Sequence, residues 1–302
     1  MAGQAVPMWK YFALLIALHT LGRLPLAVLY RICDLAGELL FLLAPRLRRR
    51  VIDNMRHVLG PAASRGEVRR AARKVFRNVA RYYADLITIP RLDVRQFYER
   101  RLHYWGFDEY IAPALGEGRG VIVVSCHFGS PELAIQGLIP LGVKALCLTE
   151  PLSPPRLSRL VDRLRSSQGH TFLPVSVGSV KAAIRYLKRG GLVALMGDRD
   201  VEGPRALLPF LGQETYIPTG PVELAMRTGA VLVPVFSYRR DGRIEVVVEP
   251  PLDLERTGSV EEDVRLNTLR FLHCFERHLR RDPGQWIVME AIWDSQPGEG
   301  RR

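Results

Sequence analysis

The chain has 302 residues and a formal charge of +12, with 43 Lys and Arg against 31 Asp and Glu. That length can bury a full core as one large α/β domain, or as one domain with a helical appendage. The four cysteines (Cys33, Cys126, Cys147, Cys274) form no Cys-x-x-Cys pair and the seven histidines show no His-Glu-x-x-His spacing. The common zinc motifs are thereby excluded, and isolated cysteines fit buried thiols in a reducing compartment.

Taken from the N-terminus, the chain opens on apolar segments. The uncharged runs are 11–22, 24–30 and 39–45, of 12, 7 and 7 residues. A spanning helix wants about 18 or more uninterrupted apolar residues, so none qualifies. Arg23, Arg31, Asp34 and Glu38 break the series as they would in helices lying in a membrane interface. No small-residue cleavage site follows the first run, which argues against a signal peptide. The excess charge comes next: 46–101 holds 16 Lys and Arg against 5 Asp and Glu, a balance of +11. Within it, 65–81 sets basic residues around apolar ones at helical spacing. Helices are predicted at 8–44, 48–58, 65–86 and 94–100. An apolar helix set beside a polybasic stretch favours docking on an anionic membrane surface at its cytoplasmic face. The competing reading is an ordinary helical hairpin covering a sheet.

From residue 119 the pattern changes. Strands are predicted at 120–126, 143–148, 171–175, 192–196, 231–237 and 243–249, with helices at 131–139, 155–168, 177–189, 219–228 and 258–281. Alternation of this kind predicts an α/β fold with a mainly parallel central sheet flanked by helices. Arg239-Arg-Asp-Gly242 reads as a hairpin turn between the last two strands. The predicted division is a helical region 1–118, an α/β core 119–295 and a polar tail 296–302. No internal repeat or low-complexity linker is present.

The densest chemistry lies in Val121-Ile-Val-Val-Ser-Cys-His127-Phe-Gly-Ser-Pro-Glu132. The β-branched run reads as a buried strand. Ser130-Pro131-Glu132 reads as a helix start, with a capping residue, a proline at the first helical position and an acid in the first turn. His127 then sits in a strand-to-helix turn, where open α/β sheets place their sites. Glu132 is near enough in sequence to fold back onto the imidazole, and a carboxylate-oriented imidazole is a general base. The same residues also fit plain turn chemistry around a structural histidine. Cys126 points to the opposite face from His127, and no Gly-x-Ser-x-Gly elbow occurs. A base here therefore acts on a hydroxyl that the substrate brings.

His-x4-Glu at a strand end resembles the His-x4-Asp/Glu motif of glycerolipid and lipid A type acyltransferases. Further blocks follow in that family's order. Thr149-Glu150-Pro151 comes first, then Arg163-Leu-Arg165 ahead of Gly169, and then Met196-Gly-Asp198-Arg-Asp200. Leu208-Pro-Phe-Leu-Gly212, Ile217-Pro-Thr-Gly220, Arg227-Thr-Gly-Ala230, Val233-Pro234-Val235 and Pro283-Gly-Gln-Trp286 complete the set. The resemblance is strongest to the lipid A biosynthesis (late) and phosphatidylinositol mannoside acyltransferases. It runs from the first apolar segment to Trp286.

That resemblance implies an O-acyltransferase moving a fatty acyl chain from an acyl thioester, acyl-CoA or acyl carrier protein, to a hydroxyl of a membrane lipid or glycolipid. His127 would be the base and Glu132 its orienting partner. Glu150 and Arg165 would line the groove, with Asp198 and Asp200 as an acidic block nearby, and no cofactor would be needed. Ser130-Pro131 stands where the lipid A branch commonly has Asn-Trp, and the segment after Trp286 also departs from it. The acceptor is therefore open among a lipid A precursor, a phosphatidylinositol mannoside and a lysophospholipid. Two other classes compete. One is a thioesterase in which His127 activates water. The other is a nucleic-acid binder, against which the basic stretch alternates with apolar rather than base-stacking positions.

Overall fold

A computed structural model describes residues 8–199 and 203–293. The chain begins with helices α1 (Trp9–Thr20), α2 (Leu26–Leu43), α3 (Pro45–Leu59), α4 (Arg65–Thr88) and α5 (Val94–Arg101). The helix predicted as continuous over 8–44 is broken between α1 and α2, where Gly22 lies in a short 3-10 turn and Pro25 caps the next helix. Proline has no N–H to donate to the preceding turn, so the break falls there. A capping box starts α4, with Ser64 and Glu67 each satisfying the other's backbone N–H.

The remainder alternates. Strand β1 (Leu102–Trp105) and helix α6 (Ala112–Gly116) lead into β2 (Val121–Ser125), α7 (Pro131–Gln136), β3 (Ala145–Thr149) and α8 (Pro155–Ser166). Next come β4 (Thr171–Pro174), α9 (Val177–Leu187), β5 (Leu192–Met196), the hairpin β6 (Arg205–Phe210) and β7 (Gln213–Pro218), and α10 (Gly220–Thr228). Strands β8 (Val231–Arg240) and β9 (Arg243–Val248) precede the closing helix α11 (Val260–Arg281). Asp241 and Gly242 between them both have positive φ, +48° and +77°, as a two-residue hairpin turn requires.

The sheet has seven strands in the order β1-β9-β8-β2-β5-β3-β4. Five of them, β8, β2, β5, β3 and β4, run parallel. Strand β9 is antiparallel to β8 and carries β1 parallel beside it. The expected α/β architecture is present, and two features go beyond it. Strand β1 is only four residues long and follows an arginine-rich helix, so its period-2 signal is too short to read. The β6–β7 pair carries Pro209 and Pro218, which argue against strand; a separate two-stranded sheet, all edge, tolerates them.

One hydrophobic cluster joins Phe41, Val51, Met55 and Phe76 of the N-terminal helices to Ile122 and Val124 of β2, Phe236 of β8, and Phe271 and Phe275 of α11. Each such side chain contributes roughly 1.5–3 kcal/mol by leaving water. The helices before residue 102 thus share their core with the sheet.

Candidate active site

Strands β2 and β5 are parallel neighbours with Ser125 opposite Met196. Two residues past that pair stand His127 on one strand and Asp198 on the other. Register alone brings them together. The His127 Nδ1 lies 2.8 Å from Asp198 Oδ1, and the His127 backbone N–H donates to Oδ2 at 2.9 Å. Asp198 is fully buried, and the indole N–H of Trp286 donates to the same Oδ2 at 2.8 Å. Burial alone would raise the Asp198 pKa. The His127 charge and the hydrogen bonds from His127 and Trp286 outweigh it, holding the carboxyl below the usual aspartate range. An ionised Asp198 accepts the Nδ1 proton and turns Nε2 outward as the acceptor. The imidazole keeps 24% of its side-chain surface exposed, and no hydrogen bond engages Nε2 among the described residues.

The turn around His127 is bolted on three sides. Phe128 pairs with Trp286 in an antiparallel bridge, the Gly129 N–H donates to Gln285 O, and the Ile287 N–H donates to His127 O. On the sheet side, the Ser237 hydroxyl of β8 donates to Phe128 O and accepts the Ser130 N–H. Gly129 has φ +67°, and a Cβ there would lie 1.6 Å from Ser237 O, so only glycine fits. The Ser130 hydroxyl donates to buried Asp85, at 2.6 Å. Asp85 in turn is held by Arg239 and by the Tyr30 hydroxyl. Every backbone N–H from His127 to Ser130 is therefore engaged.

Glu132 is not the partner of the imidazole. Its carboxylate is buried and takes three hydrogen bonds from Arg165, the shortest 2.6 Å, and one from the Tyr82 hydroxyl at 2.6 Å. Arg165 also donates to the Tyr82 oxygen at 2.8 Å, closing the triangle. Burial, and next the Glu132 charge, push the Tyr82 pKa up, so it stays a hydroxyl donor. The physical reason for the difference is helix geometry. Glu132 sits one residue into α7 and faces the packed helices α4 and α8. The carboxylate matched to His127 comes instead from the neighbouring strand.

Glu150 follows β3, the next strand along the edge, and accepts from Arg199 at 3.1 Å. Arg199 follows Asp198 directly and also donates to Glu290 at 2.8 Å. Asp200 lies outside the described residues. Cys126 is fully buried in the main core, and burial raises its thiol pKa well above the ordinary value, so it is an inert thiol. Tyr82 and Glu290 were not singled out from the sequence, and Arg199 stood within the Met196–Asp200 block without a role of its own. Asp198 had one, as part of the acidic block that the family resemblance sets near the groove. Trp286 was visible within the Pro-Gly-Gln-Trp block, though its bond to Asp198 was not.

Comparison with known proteins supplies the class: the chain is an O-acyltransferase of lipid biosynthesis. The family model described as "Bacterial lipid A biosynthesis acyltransferase" matches residues 4–295, and the chain belongs to that family. A phosphatidylinositol mannoside acyltransferase of Mycobacterium tuberculosis is 26% identical over 225 residues, 74% of this chain and 70% of that protein. Its namesake in Mycolicibacterium smegmatis is 27% identical over 226 residues, 74% of this chain and 72% of that protein. Among solved structures, the 1-acyl-sn-glycerophosphate (LPA) acyltransferase PlsC of Thermotoga maritima is similar at 16% identity. It covers 83% of this chain and 98% of its own, with a TM-score of 0.37.

Proposed function

We propose that this enzyme transfers a fatty acyl chain from an acyl thioester, acyl-CoA or acyl carrier protein, to a hydroxyl of a membrane glycolipid or phospholipid, with His127 as general base. The observation that carries the reading is the His127–Asp198 pair, which holds Nδ1 of a partly exposed imidazole and leaves Nε2 without a hydrogen-bond partner among the described residues. Nε2 takes the acceptor's proton as its oxygen bonds to the thioester carbonyl carbon. The tetrahedral intermediate collapses by breaking the C–S bond, and the imidazolium returns the proton to the departing thiolate. Asp198 positions the ring and offsets the imidazolium charge. Such a base contributes about 10²–10⁴-fold.

Negative charge on the carbonyl oxygen needs a donor. With the turn's backbone N–H groups engaged, the cation beside Asp198, Arg199, fits that task, and Glu150 and Glu290 hold it in place. Glu132 and Arg165 brace α7 against α4 and α8, and so fix the His127 turn. Glu150 and Arg199 border the substrate groove in this reading. The relatives' names favour a sugar or polyol headgroup as acceptor.

The enzyme works at a membrane surface. Among the described residues no helix is long and apolar enough to cross a membrane. Instead Trp9, Phe12 and Ile16 of α1, and Val28, Ile32, Leu35, Leu39 and Leu42 of α2, form exposed apolar rows, with Leu35 74% exposed. Rows of that kind, near a basic stretch, suit an interfacial anchor.

The test is His127→Ala with a radiolabelled acyl thioester, in the presence and absence of an alcohol acceptor. Loss of transfer in a folded variant is expected, as is acceptor dependence in the wild type. Wild-type transfer by the variant refutes the base. Turnover without any acceptor makes the enzyme a thioesterase.

A further inference from the structure

A cleft of about 370 Å³ opens beside the apolar row of α2. It is lined by Arg31 of α2, Arg81 of α4, Arg100 and Arg101 at the end of α5, and Arg243 after the β8–β9 turn, against the two acids Asp34 and Asp241. Arg81 is spent on Asp34, to which it gives two hydrogen bonds of 2.8 and 2.6 Å. The side chains of Arg31, Arg100, Arg101 and Arg243 form no hydrogen bond or ion pair among the described residues. Four unpaired guanidiniums from three separate elements face one concavity of ligand size.

We propose that this cleft binds the phosphate of an anionic phospholipid headgroup, as a site separate from that of catalysis. Four like charges gathered against the single remaining acid, Asp241, repel one another, and a bound anion lowers that cost. Guanidiniums in a concave array match phosphate oxygens in paired fashion, which lysines on an open surface do not. The lipid, rather than a free phosphate, is the occupant because of what adjoins the cleft. Positions 27, 30, 31 and 34 of α2 line it, and the exposed 28, 32, 35 and 39 form the adjacent stripe of the same helix, where acyl chains would lie. Strand β8 runs parallel to β2 and continues past it, so the cleft lies toward the same edge of the sheet as His127. Tyr30 connects the two: it lines the cleft, and its hydroxyl donates to Asp85, which also accepts the Ser130 hydroxyl beside the His127 turn. A headgroup held here would set the enzyme on the bilayer with the His127 opening toward the lipid. The inference rests on the membrane-surface reading above.

The experiment measures vesicle flotation of the full chain at fixed ionic strength, on phosphatidylcholine alone and with phosphatidylglycerol added. The wild type is compared with Arg31→Gln/Arg100→Gln/Arg101→Gln/Arg243→Gln and with a control of equal charge loss on α9 and the turn after it, Lys181→Gln/Arg185→Gln/Lys188→Gln/Arg189→Gln. All eight side chains lie on exposed residues, and thermal melts check that both variants fold. Loss of at least about tenfold in binding to phosphatidylglycerol vesicles is expected for the cleft variant, with little change for the control. Transfer to a detergent-dispersed acceptor should be unchanged. Equal loss in both variants, or none in the cleft variant, overturns the site while leaving the membrane reading intact. A wild type that floats with no vesicle overturns both. Tight binding of inorganic phosphate alone, measured by calorimetry and abolished in the cleft variant, would assign the cleft to a soluble phosphate and overturn the lipid.

Discussion

Glu132→Gln separates bracing from catalysis. The carboxylate is buried, receives hydrogen bonds from Arg165 and Tyr82, and touches no atom of the imidazole's own pair with Asp198. Neutralising it leaves the Arg165 guanidinium buried without its counter-charge. Breaking a buried pair in this way costs about 3–5 kcal/mol. For a chain of this size, that lowers the melting temperature by roughly 6–20 °C, at about 2–4 °C per kcal/mol. Removing both charges, as Glu132→Gln/Arg165→Met, relieves the uncompensated cation and should recover much of the loss. Thermal melts of the wild type, both single variants and the double variant give the coupling energy, and acyl-transfer rates below the melting range give kcat. The expected pattern is a large, strongly coupled change in stability, with kcat in the folded single variant within about tenfold of wild type. If Glu132→Gln melts like the wild type yet loses kcat as His127→Ala does, the carboxylate acts at the imidazole and the bracing role is refuted.

Two further outcomes follow from the same structure. Gly129→Ala forces a Cβ onto Ser237 O at a positive φ, so the turn must move; transfer should be lost and the melting temperature should fall, and a variant with wild-type values of both contradicts the assigned fit. His170 is buried, and burial depresses its pKa from 6.5 to about 4, so the folded state resists a proton that the unfolded chain takes up. Its contribution is complete above pH 6.5 and is lost as pH falls toward 4, about 3 kcal/mol in all at ~1.36 kcal/mol per pH unit. Denaturant titrations across that window should therefore show a shallower acid limb for His170→Asn than for the wild type, and identical limbs would remove His170 from the acid response.

The helices and parallel strands were legible because each carries its own period, and the 125–132 turn because cap, proline and glycine stand in one short run. The helix over 8–44 was overextended, because apolar content hid the effect of Pro25. The partner of His127 was misplaced for a more general reason. Nearness in sequence favoured Glu132, five residues on, whereas the contact is made across a strand register that depends on β5 lying next to β2. Strand order is set by tertiary packing, and nothing local to residues 121–132 reports it. The family resemblance set Arg165 along the groove; in the structure its guanidinium bonds to Glu132 and Tyr82. Tyr82 and Tyr30, on helices assigned to the N-terminal region, brace the site from elements whose sequence reads only as basic and apolar.

The central claim is that Asp198 makes His127 a base. The direct measurement is the pH profile of acyl-transfer kcat for Asp198→Asn beside the wild type, in protein whose melting behaviour shows it folded. Asparagine keeps the shape but cannot hold the Nδ1 proton against a negative charge or offset the imidazolium. The expected result is a fall of about 10²-fold or more across the whole pH range. A folded Asp198→Asn enzyme with the wild-type rate and the wild-type profile would contradict the account.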